Sequence, residues 1–461
     1  MTSSVAVARP APNATEGLNP SPHRLLSLVI PVAEPGAAVS FLRRASAELG
    51  GGVLWAQPES GTAFAGAGVA EAFTFQGVTR FADASAAIRD LRARVQRQDI
   101  APFPLLGGFA FDPVSRRDAA WEGYPDGRLV VPRVLLQVTP AGAHLRVTGP
   151  ASDDVPEAVT LFSLASLLAR AQSWLAAPAP MCVPALAHSA MLPQDRDDWV
   201  RQVAAAIRTI RAGTMSKVVL ARGEVLQAQR EISAEAALTC LGEEHPGATL
   251  FAIASDDAWF IGATPERLVR LRDGLVDVNC LAGSVAMGRT PEESARLGQQ
   301  LLASDKNRRE HEIVVESTIA ALETACSEVT RTRGTPRLRP ARSVQHLETP
   351  LTATARPETD VLQLAGLLHP TPAVGGFPTA PALELIRELE PFDRGWYAGP
   401  VGWVDLDGSG EFSVAIRSAL LRGRSAVAYA GCGIVANSDP EAEFTETELK
   451  LRPMMAALGG A

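Results

Sequence analysis

Of the 43 basic residues in this chain only three, Lys217, Lys306 and Lys450, are lysines. A guanidinium serves solubility and surface ion pairing as well as an ammonium does, but it keeps its proton near neutral pH and is broader. Lysine kept against that background marks positions that need a losable proton or a compact cation, unless the three survivors are an accident of composition. Lys217 sits in Ser216-Lys217-Val218-Val219-Leu220-Ala221-Arg222, a short strand on which Lys217, Val219 and Ala221 share one face. Apolar neighbours should partly desolvate its ammonium. Service as a base near neutral pH requires a pKa about 3 units below its usual ~10.4, which burial can supply. A strand-start lysine that snorkels to water is the competing reading.

Carboxylates follow at positions that could complement such a base. Glu266 lies in Gly262-Ala263-Thr264-Pro265-Glu266-Arg267-Leu268, at a turn after the strand Trp259 to Ile261, where Pro265 stiffens the backbone. An ion pair of Glu266 with Arg267 or Arg270 is equally compatible with the spacing. Thr290-Pro291-Glu292-Glu293 carries the signature of a capping box. Ser304-Asp305 can start a further helix on which Glu310 shares a face with Ile313, Val314, Ser317 and Ala321. A carboxylate on a mostly apolar stripe needs a partner, either Lys306 four residues earlier or a divalent cation. Ser438-Asp439-Pro440-Glu441 marks a C-terminal helix, expected to be limited by Pro453, with Glu443, Glu446 and Lys450 projecting from one side. Magnesium would suit these sites, because it takes one or two carboxylates and keeps water or substrate oxygens for the rest. An ordinary solvated charged face is the alternative for each helix.

Glycine-rich segments lie between these helices. Leu281-Ala282-Gly283-Ser284 and Ala430-Gly431-Cys432-Gly433-Ile434-Val435 have neither dinucleotide nor P-loop spacing, but expose backbone N–H groups to a ligand. A strand read from Phe412 to Leu420 places Arg417 among small residues Ser413, Ala415 and Ala419, with room to grip a carboxylate. A structural role for Arg417 is equally open at this level.

The surrounding chain has 461 residues, 46% of them hydrophobic, enough for two or three domains or one large α/β unit. A net charge of −8 argues against nucleic acid as the main partner. Cys182, Cys240, Cys280, Cys326 and Cys432 are scattered without CxxC or zinc spacing, which favours a reduced, cytoplasmic setting. No apolar run approaches the roughly 20 residues of a membrane span, and Met1 to Pro22 reads as a disordered tail rather than a signal peptide. Leu25 to Val32 reads as a strand, Ala37 to Leu49 and residues 83–96 as helices, Leu129 to Val138 and His144 to Val147 as paired strands, and residues 160–175 as a helix. Ala176-Ala177-Pro178-Ala179-Pro180 is the linker candidate, dividing an N-terminal lobe (23–190) from a catalytic region (195–455). Periodicity alone supports a mixed α/β fold without solenoid repeats.

The run Lys217 to Arg222, Gly262 to Leu268, Ala282-Gly283-Ser284, Lys306-Asn307-Arg308-Arg309-Glu310-His311 and the stretch from Leu368 to Leu451 together resemble the chorismate-binding enzymes. Within that stretch, His369-Pro370-Thr371-Pro372-Ala373-Val374-Gly375-Gly376-Phe377-Pro378 and Glu390-Pro391-Phe392-Asp393-Arg394 resemble the isochorismate synthase branch. The resemblance covers residues 195–453, with Gly107 to Asp112 the one matching segment before it. It implies an α+β fold: two large, mainly antiparallel sheets in a sandwich with outer helices, the N-terminal lobe joining the same core. It also implies a reaction, conversion of chorismate to isochorismate by adding water at ring carbon 2 and expelling the hydroxyl at carbon 4.

The roles implied are residue by residue. Lys217 matches the base and Glu266 the acid. Glu310 and Glu446 match the Mg²⁺ carboxylates, and Glu443 looks like a supporting member of the metal face. Gly283, Ser284, His369, Arg417, Gly431 and Lys450 form the implied substrate-binding set, with His369 ordering the site. A monomer or weak dimer is implied, and a product that feeds menaquinone, siderophore or salicylate synthesis. Lys217 argues against the anthranilate synthase branch, which lacks that lysine because ammonia is its nucleophile. A salicylate synthase, which continues from isochorismate with loss of pyruvate, and a catalytically dead chorismate-binding paralogue are the alternatives. Ser284 stands where many members have threonine and Thr264 where many have serine, so each position keeps its hydroxyl.

Overall fold

Runs of Val, Leu, Ala and Phe broken by glycine and Asp turns give this chain more strand than helix. The computed structural model describes residues 24–96, 102–115, 117–152, 154–176, 187–191, 196–332, 334–340 and 344–459. The tail expected at Met1 to Pro22 and all of the linker candidate but Ala176 lie outside the described residues. The first part comprises β1 (Arg24–Val32), α1 (Ala38–Leu49), β2 (Val53–Gln57), β3 (Thr62–Phe75), α2 (Arg80–Arg94), β4 (Val95–Gln96), β5 (Leu105–Phe109), β6 (Gly127–Thr139), β7 (Gly142–Ala151) and α3 (Glu157–Gln172). Then come β8 (Ala187–Met191), α4 (Arg196–Arg211), β9 (Lys217–Ala228), α5 (Ala234–Glu244), β10 (Thr249–Ser255), β11 (Ala258–Thr264), β12 (Arg267–Arg272), β13 (Leu275–Ala286), α6 (Pro291–Ala303) and α7 (Asp305–Glu323). The last part holds β14 (Cys326–Arg331), β15 (Arg337–Pro340), β16 (Val344–Ala355), α8 (Val361–Leu368), β17 (Gly376–Phe377), α9 (Thr379–Leu389), β18 (Pro400–Val404), β19 (Gly410–Val414), β20 (Ser418–Arg422), β21 (Ser425–Ile434) and α10 (Pro440–Leu458).

Hydrogen bonding traces two layers that share the strand β6. The first runs β1-β7-β6-β3-β2-β10-β11-β20-β21-β9, with β8 and β17 beside β9. The second runs β6-β5-β18-β19-β12-β13-β16, with β14 and β15 beyond β16. β6 passes between layers because its C-terminal half pairs with β7 and its N-terminal half with β5. The bend coincides with a register shift between Val69 and Glu71 opposite Pro132, a residue with no N–H to lose from the ladder. These pairings are antiparallel, and the short β1–β4 contact is parallel. The sandwich expected from the resemblance is the observed architecture, and β2–β10 and β5–β18 pairing interleaves N-terminal strands with later ones.

Aromatic rings fill the space between layers: Trp121 packs edge-on to Phe260 at 5.1 Å, and Tyr124 meets Trp396 at 5.4 Å. A second apolar cluster including Phe41, Leu42, Leu241, Leu451 and Met454 lies under α1, α5 and α10. On the second layer α7 packs against β13 and α8 against β12.

Several local expectations hold: Ser304 and Asp439 cap α7 and α10 by accepting from Asn307 N and Ala442 N. Thr290 caps α6, although Glu293 turns to Arg289 N at 2.8 Å instead of closing the box. Three expectations fail. α10 continues through Pro453 to Leu458, because burial of Leu451, Met454 and Ala457 on either side outweighs a local penalty. The strand read from Phe412 to Leu420 breaks at residues 415–417, where the chain crosses from β19 in one layer to β20 in the other. Cys240 is disulfide-bonded, so the thiols are not all reduced; proximity between distant segments, which linear spacing does not reveal, decides such pairing.

β5 sits tightly between β6 and β18, and a Cβ on Gly107 would lie 1.8 Å from the Arg128 carbonyl oxygen. Gly107→Ala should lower unfolding free energy in urea by about 3 kcal/mol, the upper end of overpacking costs. Unchanged stability would mean that β5 and β6 can part there.

Candidate active site

β9 delivers Lys217 on its inward face, and the neighbouring strand makes room for it. Gly433 of β21 lies opposite Val219, and a Cβ there would come within 2.7 Å of Lys217 Cε. The lysine therefore runs across a glycine and ends part-buried in the wall of a cavity instead of snorkelling to open solvent. Burial drives its pKa below the ordinary 10.5; Glu310, Glu266 and Glu446 pull it upward and Lys450 downward, and burial prevails.

Glu266 follows β11 on a segment locked by its own backbone. Thr264 Oγ1 donates to the Val414 carbonyl at 2.6 Å and accepts from Glu266 N at 3.2 Å, while Val414 N donates to the Glu266 carbonyl at 2.9 Å. Burial raises the Glu266 carboxyl from 4.5 to about 7, against the pull of Lys217, Lys450, Arg339 and Arg417. The neighbouring Arg267 pairs with Glu411 and Arg270 with Asp277, each at 2.7 Å, in place of the alternative surface pair of either with Glu266.

Two helices bring the remaining carboxylates. α7 is anchored by buried His311, whose Nε2 hydrogen-bonds Thr349 Oγ1 at 2.7 Å, and Glu310 pairs with Lys306 at 3.8 Å. α10 is set by Arg222 on the outward face of β9, which donates to Thr447 Oγ1 at 2.7 Å and lies 4.6 Å from the Phe444 ring centroid. Arg196 covers the same ring at 5.0 Å. That clamp points Glu443, Glu446 and Lys450 inward. Lys450 Nζ lies 2.6 Å from Glu446 Oε1 and donates to the Gly431 carbonyl at 2.8 Å. Burial opposes ionisation of Glu446, but Lys450, Arg417 and Lys217 outweigh it and hold the carboxylate below its usual range. Burial raises Glu443.

These elements enclose a cavity of about 480 Å³ lined by Lys217, Glu266, Gly283, Glu310, Arg417, Gly431, Glu443, Glu446 and Lys450. Arg417 reaches it from the crossing between β19 and β20, with φ of 53° and Nη1 donating to the Lys450 carbonyl at 3.1 Å. Gly283 forms a bulge with φ of 76° between Ala282 and Ser284, a conformation suited to glycine. The Ser284 side chain lies outside the described residues, while its backbone pairs with His346. His369 is not among the lining residues. Its Nε2 lies 2.9 Å from the Phe111 carbonyl, and burial pushes its pKa down to about 3, which keeps it neutral.

Arg339, His346, Tyr397, Asn307 and Lys306 also line the cavity, and of these only Lys306 stands out by residue type and spacing alone. Burial, together with Lys450, Arg417 and Arg339, lowers His346 to about 4, which keeps it neutral. Only the register across the Gly283 bulge brings it there. The lining thus combines ammonium and guanidinium groups with five carboxylates, a balance suited to an anionic ligand with a divalent cation. Among the described residues no preformed group of three donors could hold a metal. Glu310 and Glu446 line the same cavity from two helices, and Mg²⁺ needs few protein oxygens.

A family profile described as chorismate binding enzyme matches residues 13–459. The chain belongs to the chorismate-binding enzyme family. It is 37% identical over 419 residues to the isochorismate synthase MenF of Bacillus subtilis, covering 88% of each chain. It is 40% identical over 417 residues to the salicylate biosynthesis isochorismate synthase of Pseudomonas aeruginosa, covering 88% of this chain and 85% of that one. Among solved structures, the menaquinone-specific isochorismate synthase MenF from Escherichia coli superposes with a TM-score of 0.77 at 28% identity, covering 96% of both chains.

A carboxyl-labelled sample should contain one glutamate in this cavity that titrates at about 7, and Glu266→Gln should delete that signal in a ¹³C NMR titration. A Glu266 signal titrating near 4.5 would contradict the burial argument.

Proposed function

We infer that the chain is an isochorismate synthase, an isomerase acting on chorismate. The observation that carries the chemistry is the pair Lys217 and Glu266 in one cavity, with burial moving their pKa values toward each other from opposite sides. Environments that leave an amine able to accept a proton and a carboxyl able to donate one at the same pH are those of general base and general acid.

In the proposed mechanism Lys217 Nζ removes a proton from water as the oxygen bonds to ring carbon 2. The ring double bond shifts, and Glu266 gives its proton to the hydroxyl leaving carbon 4 as water. One water enters and one departs, so atoms balance for an isomerisation. The turnover leaves Lys217 protonated and Glu266 ionised, and proton exchange with solvent resets the pair. Arg417 and Lys450 pair with substrate carboxylates, Gly283 and Gly431 let the backbone approach, and Ser284 is assigned to the same wall. Glu310 and Glu446 would hold Mg²⁺, with Glu443 behind them; when bound, the ion supplies positive charge for the ring carboxylate and fixes its orientation.

The decisive assay incubates the protein with chorismate and Mg²⁺ and separates the products. Isochorismate without pyruvate is expected; stoichiometric pyruvate and salicylate would move the assignment to salicylate synthase, and an inert sample to a non-catalytic chorismate binder. Lys217→Arg should keep the fold by circular dichroism and lose turnover about 10²–10⁴-fold, the usual share of a general base; substantial residual activity would remove Lys217 from that role. As a function of pH, kcat/KM should be bell-shaped, with one inflection at about 7 from Glu266 and another from Lys217 below its ordinary 10.5. A profile with no inflection near 7 would exclude Glu266 as the acid.

A further inference from the structure

The edge of β9 that faces away from β21 is not continuously paired. β17 pairs with Lys217 and Val218, β8 pairs with Glu224 through Ala228, and Val219 N donates to the Gly375 carbonyl at 2.9 Å. Between these strands lie the Val219 carbonyl and the Ala221 amide, and side chains satisfy both. Arg394 Nη2 donates to the Val219 carbonyl at 2.7 Å, and Ala221 N donates to Glu390 Oε1 at 2.7 Å. The two side chains are themselves paired through Arg394 Nε and Nη2, at 2.8 and 2.5 Å. Arg394 Nη1 also donates to the Val374 carbonyl at 3.0 Å, and the guanidinium lies 4.3 Å from the Phe111 ring centroid. Side-chain exposure is only 3% for Arg394 and 2% for Glu390.

We propose that Glu390 and Arg394 are positioning residues for Lys217, an ion pair that stands in for a missing strand segment and fixes where the base enters the cavity. A buried ion pair is weak evidence for stability, since its desolvation cost offsets its attraction. Here the geometry gives it another use. Val219, Val374 and Arg394 all line the cavity, so another strand along this edge would occupy space the ligand needs. The pair closes the backbone hydrogen bonds with two side chains and ties the loop holding Val374 to the strand carrying the base. The planar fork of arginine reaches Glu390, Val219 and Val374 together, which a lysine ammonium cannot reproduce.

The proposal rests on Lys217 being the base of isochorismate formation, and its test separates the two claims. The double variant Glu390→Gln/Arg394→Met leaves no unpaired buried charge, and Arg394→Lys keeps the charge without the fork. In both, kcat should fall about 100-fold, as expected for a misplaced reacting group, with KM changed less than threefold. Hydrogen exchange should quicken at the amides of residues 217–222 and stay unchanged in α10. A folded double variant with parental kcat and unchanged protection at 217–222 would overturn the proposal, as would a loss expressed in KM alone. If neither variant folds, the pair is a folding element and the proposal also fails. Should the parent protein not convert chorismate, the functional reading fails, while exchange at 217–222 still decides whether the pair holds the strand.

Discussion

Burial of the Lys217 ammonium beside three carboxylates is the constraint around which the site is organised. Left alone, Glu266, Glu310 and Glu446 would hold the lysine charged and useless as a base. Desolvation opposes them, and desolvation depends on packing: the glycine at 433 that admits the side chain, the strand pairing that walls it in, and the helices that close the cavity. The same burial acts in the opposite sense on Glu266. One physical cause thus shifts both groups, from opposite sides.

The fold supplies that burial by letting the chain cross between layers next to the cavity. Arg417 stands where β19 gives way to β20, and Glu266 where β11 gives way to β12, so each reaches the cavity from a turn held by hydrogen bonds to both layers. α10 faces them and is held by Phe444 between two guanidinium groups. Lys306 and Lys450 lie one helical turn from Glu310 and Glu446, with N–O distances of 3.8 and 2.6 Å. All three lysines of the chain therefore border one cavity, which makes accident a poor account of their survival.

Much of this was legible in the sequence where local chemistry decides the outcome. Caps at Ser304 and Asp439, the hairpin turn at 139–142 and the shared face of Glu443, Glu446 and Lys450 follow from helix and turn rules and are found as expected. Long-range geometry was not legible. The break at Arg417 depends on a change of layer, His346 comes to the cavity through a bulge in another strand, and His369 turns its Nε2 to the Phe111 carbonyl outside the cavity lining. Glu390 and Arg394 were visible as a pattern, but their task requires knowing which edge of β9 lacks a strand.

The central claim is that Lys217 is a buried amine poised to lose its proton, and the scarcity of lysine makes it directly measurable. Protein labelled with ¹³C at lysine Cε should give three side-chain resonances, one from each lysine, and Lys217→Arg identifies the one of interest by its loss. The account predicts that this resonance titrates below the ordinary lysine value of 10.5. Titration at or above 10.5 would contradict it.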